Sequence, residues 1–490
     1  MLKAARRTLS NGLRVIVLQL PQLHSVASAL MVRAGPRHES RRSSGLSHLV
    51  EHLLFRGTTQ HPTSFALNAA IEGLGGEVNG VTQRDATTIH LTVPPSSAEA
   101  GLRLLADICT SPLMEGLEIE KQVVIEEILD TIDAAGFEND LDTLSREVLW
   151  GGHPMGMPVA GTVENVRRFT LRQCKNHFAR TFVAENAVLC VAGPVDEDRL
   201  LAVAEETFGR MRRGRPLPDP RPAEPRARMP IQIRETEDSQ VSVMLTFPAP
   251  HENDPDFAAL LLLRRVLDDG LASRLRQAVC EQRGLAYSVS ASIDVYGDAG
   301  AIDLDATCAP KKLVVTVAQM LSTVKALIEG GVAEDELERA KIRHRAELEF
   351  GLDDPSELCG WYGSTELMGC QASYEDRLHQ ALRVTVADLG RLAARIFDPS
   401  RALATLVGPA HPIAVGKLER LLGRPAGSSV WLNNQGEADE EPEQDIEPLE
   451  MRTLTEWASA HTAVPAPPPA PASEPEKADT PTTGDLRVAS

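Results

Sequence analysis

Two kinds of apolar pattern share the first 430 or so residues of this 490-residue chain. Short runs of strand length, rich in β-branched residues, occur at Leu13–Leu20, Ala27–Val32, Ala187–Gly193, Val241–Phe247 and Ala402–Gly408. Between them lie longer stretches with helical spacing. Leu46, Leu49, Val50, Leu53, Leu54 and Phe55 recur at such spacing. Ser43-Ser44-Gly45 offers capping hydroxyls before this run, and Gly57 is expected to stop it. A second helix is expected from Met114 to Asp130, with Val124, Ile125, Ile128, Leu129 and Ile132 as its apolar stripe. Strands grouped beside long helices make the fold class α+β.

The order of elements suggests two halves. In each, strands lead into a helix, further strands and helices follow, and a short strand with a glycine closes the unit. The repeat is faint at the level of residues. Between the halves, residues 211–230 are rich in Pro and Arg and read as a semi-rigid linker. The expected boundaries are 1–210, 211–230, 231–433 and a tail at 434–490.

Composition changes this picture in three ways. The apolar fraction of 42% supports buried cores, but with 4% aromatics they must be filled mainly by Leu, Val, Ile and Ala. The formal net charge of −19 disfavours a nucleic-acid partner, which would select a basic surface. Much of that charge lies in the tail. From Glu437 to Ser490 there are 13 acidic and 3 basic residues, a net −10, leaving −9 for the rest. This tail, acidic and then rich in Pro and Ala, buries too little apolar surface to fold alone. Within it, Leu449–Ala460 spaces Met451, Leu454 and Trp457 as a short helix would. The 7 cysteines form no CxxC pair, and the basic N-terminus leads into no apolar signal region. Both fit reduced thiols and a cytoplasmic protein. The absence of an apolar run of 18 residues argues against a membrane span.

The candidate chemistry sits in His48-Leu-Val-Glu51-His52. On a helix, positions i and i+4 are neighbours on one face. Two imidazoles so placed can bind one zinc ion at roughly 2.0–2.1 Å. Glu51 then lies beside the metal, where a carboxylate can take a proton from activated water. This order inverts H-E-x-x-H and is the inverzincin arrangement. A chance match or a structural histidine pair is the competing reading of five residues. A catalytic zinc usually has three protein ligands. Glu120 and Glu127 are seven apart on the second helix and border its apolar stripe, where a carboxylate needs compensation by a metal or a charged partner. A solvated acidic face is the alternative for either residue alone.

Taken together, these residues resemble the pitrilysin and mitochondrial-processing-peptidase family. The resemblance rests on Gly45-Leu-Ser-His-Leu-Val-Glu-His-Leu-Leu-Phe-Arg-Gly-Thr58, Gly75-Gly-Glu-Val-Asn79 and Glu120-Lys-Gln-Val-Val-Ile-Glu-Glu-Ile128. It extends to His153-Pro-Met-Gly156, Gly161-Thr-Val-Glu-Asn165 and Arg283-Gly-Leu-Ala-Tyr-Ser-Val289, and covers about residues 5–425. It implies a clamshell of two related halves around a chamber. It also implies zinc held by His48, His52 and Glu127, Glu51 as general base, and Glu120 as a supporting carboxylate. Substrate would add as a strand to a sheet edge near the metal, with Asn79 holding its backbone. A turn Asn bonded to its own backbone is the simpler reading of Asn79. His153 reads as a loop-packing residue, and His61, His90 and His177 as structural or surface residues.

One position departs from the resemblance. In active single-chain relatives a Tyr and an Arg seven residues before it reach in from the second half. Tyr287 is present, but Cys280 stands at the Arg position, and Arg276 and Arg283 lack the spacing. The expected activity is therefore a zinc endopeptidase acting on unfolded peptides, as a homodimer or a heterodimer with a related subunit. The alternatives are a zinc-bearing subunit that needs a partner's Arg and Tyr, or a non-catalytic scaffold.

Overall fold

The computed structural model describes residues 4–132, 138–222, 230–370 and 372–432. The tail at 434–490, its Leu449–Ala460 segment and linker residues 223–229 lie outside the described residues. The described remainder of the linker, 211–222 and 230, contains no helix or strand.

Two six-stranded sheets organise the chain. The first contains β1 (Ala4–Thr8), β2 (Arg14–Gln19), β3 (Val26–Val32), β4 (Glu77–Thr82), β5 (Thr87–Val93) and β6 (Ala187–Gly193), in the spatial order β1-β2-β6-β3-β5-β4. The second contains β7 (Ile231–Arg234), β8 (Val241–Pro248), β9 (Ser288–Val295), β10 (Gly300–Cys308), β11 (Leu403–Val407) and β12 (Val430–Trp431), in the order β12-β7-β11-β8-β10-β9. The five strands β2-β6-β3-β5-β4 match β7-β11-β8-β10-β9 in position and direction. β2 is parallel to β6 as β7 is to β11, and the other three pairings are antiparallel in both. Only the sixth strand differs: β1 lies antiparallel to β2, whereas β12 lies parallel to β7. A repeat too faint to read in residues is thus plain in topology. The fold is α+β with two related halves, as expected.

β3 and β6 are buried along their whole length, which explains their continuous apolar sequence. One face is covered by helices of the same half, including Ala98–Thr110. The other is covered by Pro355–Leu367, a helix that follows the strands of the second sheet. Its Leu358, Cys359, Tyr362 and Leu367 pack on Ala27, Ala29, Met31, Val188 and Cys190. Gly363 lets the helix approach closely, since a Cβ would stand 2.5 Å from Met31 Sδ and displace that side chain.

The exchange is reciprocal. The helix Leu141–Leu149, from the first half, packs on β8 and β11. Its Arg146 is 2% exposed and donates to both Asp303 oxygens at 3.1 and 2.6 Å and to Asp294 at 2.8 Å. Ser145 lies 2.9 Å from Thr405 Oγ1, and Gln232 donates to Leu144 O at 2.8 Å. A buried guanidinium is tolerable here because paired carboxylates surround it.

Between the halves lies a cavity of about 830 Å³, bordered by Thr82, Asp85, His90, Asp294, Tyr296 and Trp361. One helical stretch, Pro310–Gly330, is long and apolar enough to cross a membrane, with mean hydropathy 1.4. It packs Leu313, Val317, Met320, Val324 and Leu327 into the second core.

Candidate metal centre

The motif helix spans Leu46–Leu54 and buries Leu46, Leu49, Val50, Leu53 and Leu54 in the first core. Its N-cap is Gly45, in a left-handed conformation with φ 92°. The serine hydroxyls expected to cap this helix do not do so. Instead the Glu39 carboxylate accepts from Gly45 N at 2.9 Å and from Ser47 N at 2.6 Å. Gly57 is not the helix stop either, for the helix ends at Leu54 with Phe55 as its cap. At φ 128° Gly57 instead lets the chain pass close to Pro62.

The second helix runs Leu117–Thr131, after Gly116 at φ 73°. Val124, Ile125 and Ile128 are buried, but Leu129 is 44% exposed and Ile132 has left the helix, so the stripe is narrower than expected. Glu120 is buried and Glu127, two turns further along the same face, is exposed.

One turn apart, the His48 and His52 rings meet edge to face with centroids 4.7 Å apart. Glu127 Oε2 stands 3.7 Å from His48 Nε2, and its Oε1 stands 3.6 Å from His52 Nε2. Such distances are too long for hydrogen bonds. They match the ~3.4 Å edge of a tetrahedron of ligands about 2.0–2.2 Å from zinc. Among the described residues these three are the group whose ligand atoms could hold a metal ion, all lying within 4.8 Å of one another. Two imidazoles and a carboxylate are a donor set suited to zinc.

The remaining atoms are arranged around this cluster. His52 Nδ1 lies 2.9 Å from Glu120 Oε2. Glu120 also accepts from Arg56 Nε, four residues beyond His52 and just past the helix end. Burial would raise the Glu120 carboxyl, but the bonds from His52 and Arg56 outweigh it and hold it below its ordinary value. An ionised Glu120 can only accept, so Nδ1 of His52 carries the proton and Nε2 presents its lone pair. Burial likewise opposes protonation of His52, yet the Glu120 bond and the charges of Glu127 and Glu51 raise its pKa overall. Burial and the neighbouring His52 push His48 down to about 4, keeping it neutral.

Glu51 is 7% exposed. Its Oε2 accepts from Thr82 Oγ1 at 2.7 Å, and its carboxylate lies against Gly80 of β4, where a Cβ would stand 2.5 Å from Oε1. Burial raises its pKa, the Thr82 bond opposing. A buried carboxyl poised in this way suits proton transfer.

Asn79 lies in mid-strand on β4 rather than in a turn, and its Oδ1 accepts from the next residue's N–H at 2.9 Å. His153 is a loop-packing residue, bonded to Met155 N and placed 3.0 Å from Pro220 O. Tyr287 directly precedes β9, with its ring 86% exposed. Among the described residues no side-chain hydrogen bond or ring contact joins it to the cluster. Cys280 is packed against the second core, Arg276 is paired with Glu281 at 3.2 Å, and Arg283 has a partner of its own. Sequence reasoning missed Glu39, Arg56 and Thr82. The signal for Glu39 was a helix opening on glycine, which has no side chain to cap it.

Two sheets of matching order, one with two histidines and a carboxylate converging beside it, define a zinc-protease-like fold of two halves. Residues 14–163 match the model of the insulinase family, peptidase family M16, and residues 168–343 match the model described as peptidase M16 inactive domain. The chain is 34% identical over 411 residues to an uncharacterized zinc protease of Mycobacterium leprae, covering 82% of this chain and 91% of that one. It is 27% identical over 417 residues to an uncharacterized zinc protease of Bacillus subtilis, covering 82% and 98%. A protease from Helicobacter pylori superposes with a TM-score of 0.76 at 21% identity, over 84% of this chain and all of that one. An M16 inactive domain from Pseudomonas fluorescens gives 0.77 at 22% identity, over 84% and 98%. This chain belongs to peptidase family M16.

Proposed function

We propose that this protein is a zinc-dependent endopeptidase that hydrolyses unfolded peptides within the cavity between its halves. The observation that carries the proposal is the convergence of His48 Nε2, His52 Nε2 and Glu127 beside a buried Glu51. Zinc held there would supply Lewis acidity, which polarises a carbonyl and acidifies water. Glu51 would accept the proton of the attacking water and return it to the leaving amine. Thr82 holds the carboxylate in place for both steps. Glu120 fixes the His52 tautomer, with Arg56 keeping Glu120 ionised. Among the described residues β4 pairs only with β5, which leaves its other edge without a strand partner and suited to an extended peptide. Asn79, on that strand, would contact the peptide backbone.

The test is cleavage of a quenched peptide library by zinc-loaded protein. Glu51→Gln should retain zinc and lose roughly 10²–10⁴-fold in kcat/KM, the range for a general base. Equal cleavage by the variant would remove Glu51 from the chemistry.

A second reading has its own support. Tyr287 stands exposed, and no free guanidinium occupies the position seven residues before it. The protein would then be the zinc-bearing subunit of a pair, with a related chain supplying Arg and Tyr. Zinc binding without cleavage, and cleavage on adding such a chain, would decide for it. One structural relative is a chain of Complex III from Candida albicans, at TM-score 0.69 and 17% identity over 85% of this chain and all of that one. A non-catalytic scaffold, however, has no physical need to keep ligands and base together.

A further inference from the structure

We propose that Glu39 is a positioning residue for the metal centre: it docks the first turn of the motif helix and so sets where His48 and His52 meet Glu127. The proposal rests on reading that cluster as a zinc site.

Glu39 lies outside the helix and touches none of the candidate ligands, yet it is only 8% exposed. A helix leaves its first four N–H groups without internal partners. Here both oxygens of one carboxylate serve this turn, accepting from Gly45 N and Ser47 N. When ionised, this carboxylate also places its charge at the positive end of the helix dipole. Burial pushes the Glu39 carboxyl up to about 7, while hydrogen bonds from Ser47 and Gly45 and the charge of Arg180 pull it down.

The helix cannot supply this cap itself. Gly45 faces Ala160 and Gly161 so closely that a Cβ would lie 2.4 Å from Ala160 O. Gly161, at φ 80°, meets Ser44 O in the same way, at 2.3 Å. No side chain fits at the N-cap, so the cap must come from elsewhere in the chain. A second contact steadies the same turn: Ser47 Oγ lies 3.0 Å from Nε2 of the buried His177.

His48 immediately follows Ser47. Its Nε2 and that of His52 each stand within 3.7 Å of Glu127, which belongs to another helix. Ligand convergence therefore depends on how the motif helix is seated against Leu117–Thr131. Glu39 holds the end of the motif helix nearest His48, as Glu120 holds His52.

Glu39→Gln keeps the volume and one acceptor but removes the charge and the second acceptor. Zinc affinity is measured by chelator competition, with thermal melting and amide exchange over Leu46–Leu54 alongside. The expected result is zinc binding weaker by about tenfold, the lower end of the range for a group bonded directly to a ligand, since Glu39 acts through the helix, with faster exchange over the helix. Wild-type affinity in the folded variant, even at a lower melting temperature, would make Glu39 a stability cap only and overturn the proposal. If Glu39→Gln does not fold, Glu39→Asp, whose shorter arm cannot span both amides, is read by the same criterion. If the wild type itself binds no zinc, the metal reading falls on its own. The cap is then judged by exchange, and unchanged exchange in Glu39→Gln would overturn it.

Discussion

The first helix after β3 and the first helix after β8 occupy equivalent places in two sheets that share five matching strands, yet they differ in what they carry beside their apolar face. Phe257–Leu267 inserts Phe257, Leu260, Leu262, Leu263, Val266 and Leu267 into its core, with Arg264 and Arg265 confined to its last turn. Leu46–Leu54 buries a similar apolar face but adds Glu51, and it places His48 and His52 at its partly exposed side. A buried carboxylate is costly unless its oxygens are met. In the first half they are met by Thr82, and the surrounding cluster by Glu120, Arg56 and Glu39. Around the second helix the described residues offer ion pairs, such as Arg265 with Asp269 and Arg377 with Glu252 beside Phe257, but no cluster of histidines and carboxylates. The same scaffold thus holds the candidate metal cluster in one copy and a mainly apolar helix in the other. The difference lies in the supporting residues as much as in the ligands.

The sharpest way to break this division is at the seam where the halves exchange helices. Arg146→Met leaves Asp303 and Asp294 without their cation and should cost about 3–5 kcal/mol of stability, the range for removing one partner of a buried pair. Denaturant unfolding checks this, and an unchanged midpoint would mean that the exchanged helix does not hold the halves together. Glu120→Gln addresses the support of the metal cluster. It should weaken zinc binding by about 10–100-fold, with a lower melting temperature of the zinc-free protein as well, because Arg56 and His52 lose their buried partner. Undiminished affinity would mean that the orientation of His52 is fixed without Glu120. Cys280→Arg tests the other side of the comparison, by placing a guanidinium at the position seven residues before Tyr287. In a self-sufficient enzyme kcat/KM should rise about tenfold, the lower end for a charge-assisted hydrogen bond. No change in a zinc-loaded, folded variant would favour the reading in which a partner subunit supplies this function.

Much of the site was legible along the chain because its spacings are local. An i, i+4 pair on one helix, and two carboxylates seven apart on another, keep their meaning whatever surrounds them. The structure accordingly brings His48, His52 and Glu127 together and seats Glu120 behind His52. The strands at Ala27–Val32, Ala187–Gly193 and Val241–Phe247 also fall within a residue of β3, β6 and β8. The misreadings arose where a local rule met a distant contact. Ser43 and Ser44 are good capping residues by type, but Glu39 reaches the amides first. Leu129 has the spacing of a core residue, but among the described residues it stands 44% exposed.

By itself, the sequence determined which segments are strands and helices, and which residue types could share one metal ion. These follow from hydrophobic period and helix geometry, which act over a few residues. Only the tertiary structure decided that Pro355–Leu367 covers the first sheet, that Arg146 sits among aspartates some 150 residues away, and that Glu39 seats the motif helix. Whether a buried polar group is satisfied depends on the atoms opposite it, and chain folding, not local pattern, selects those atoms.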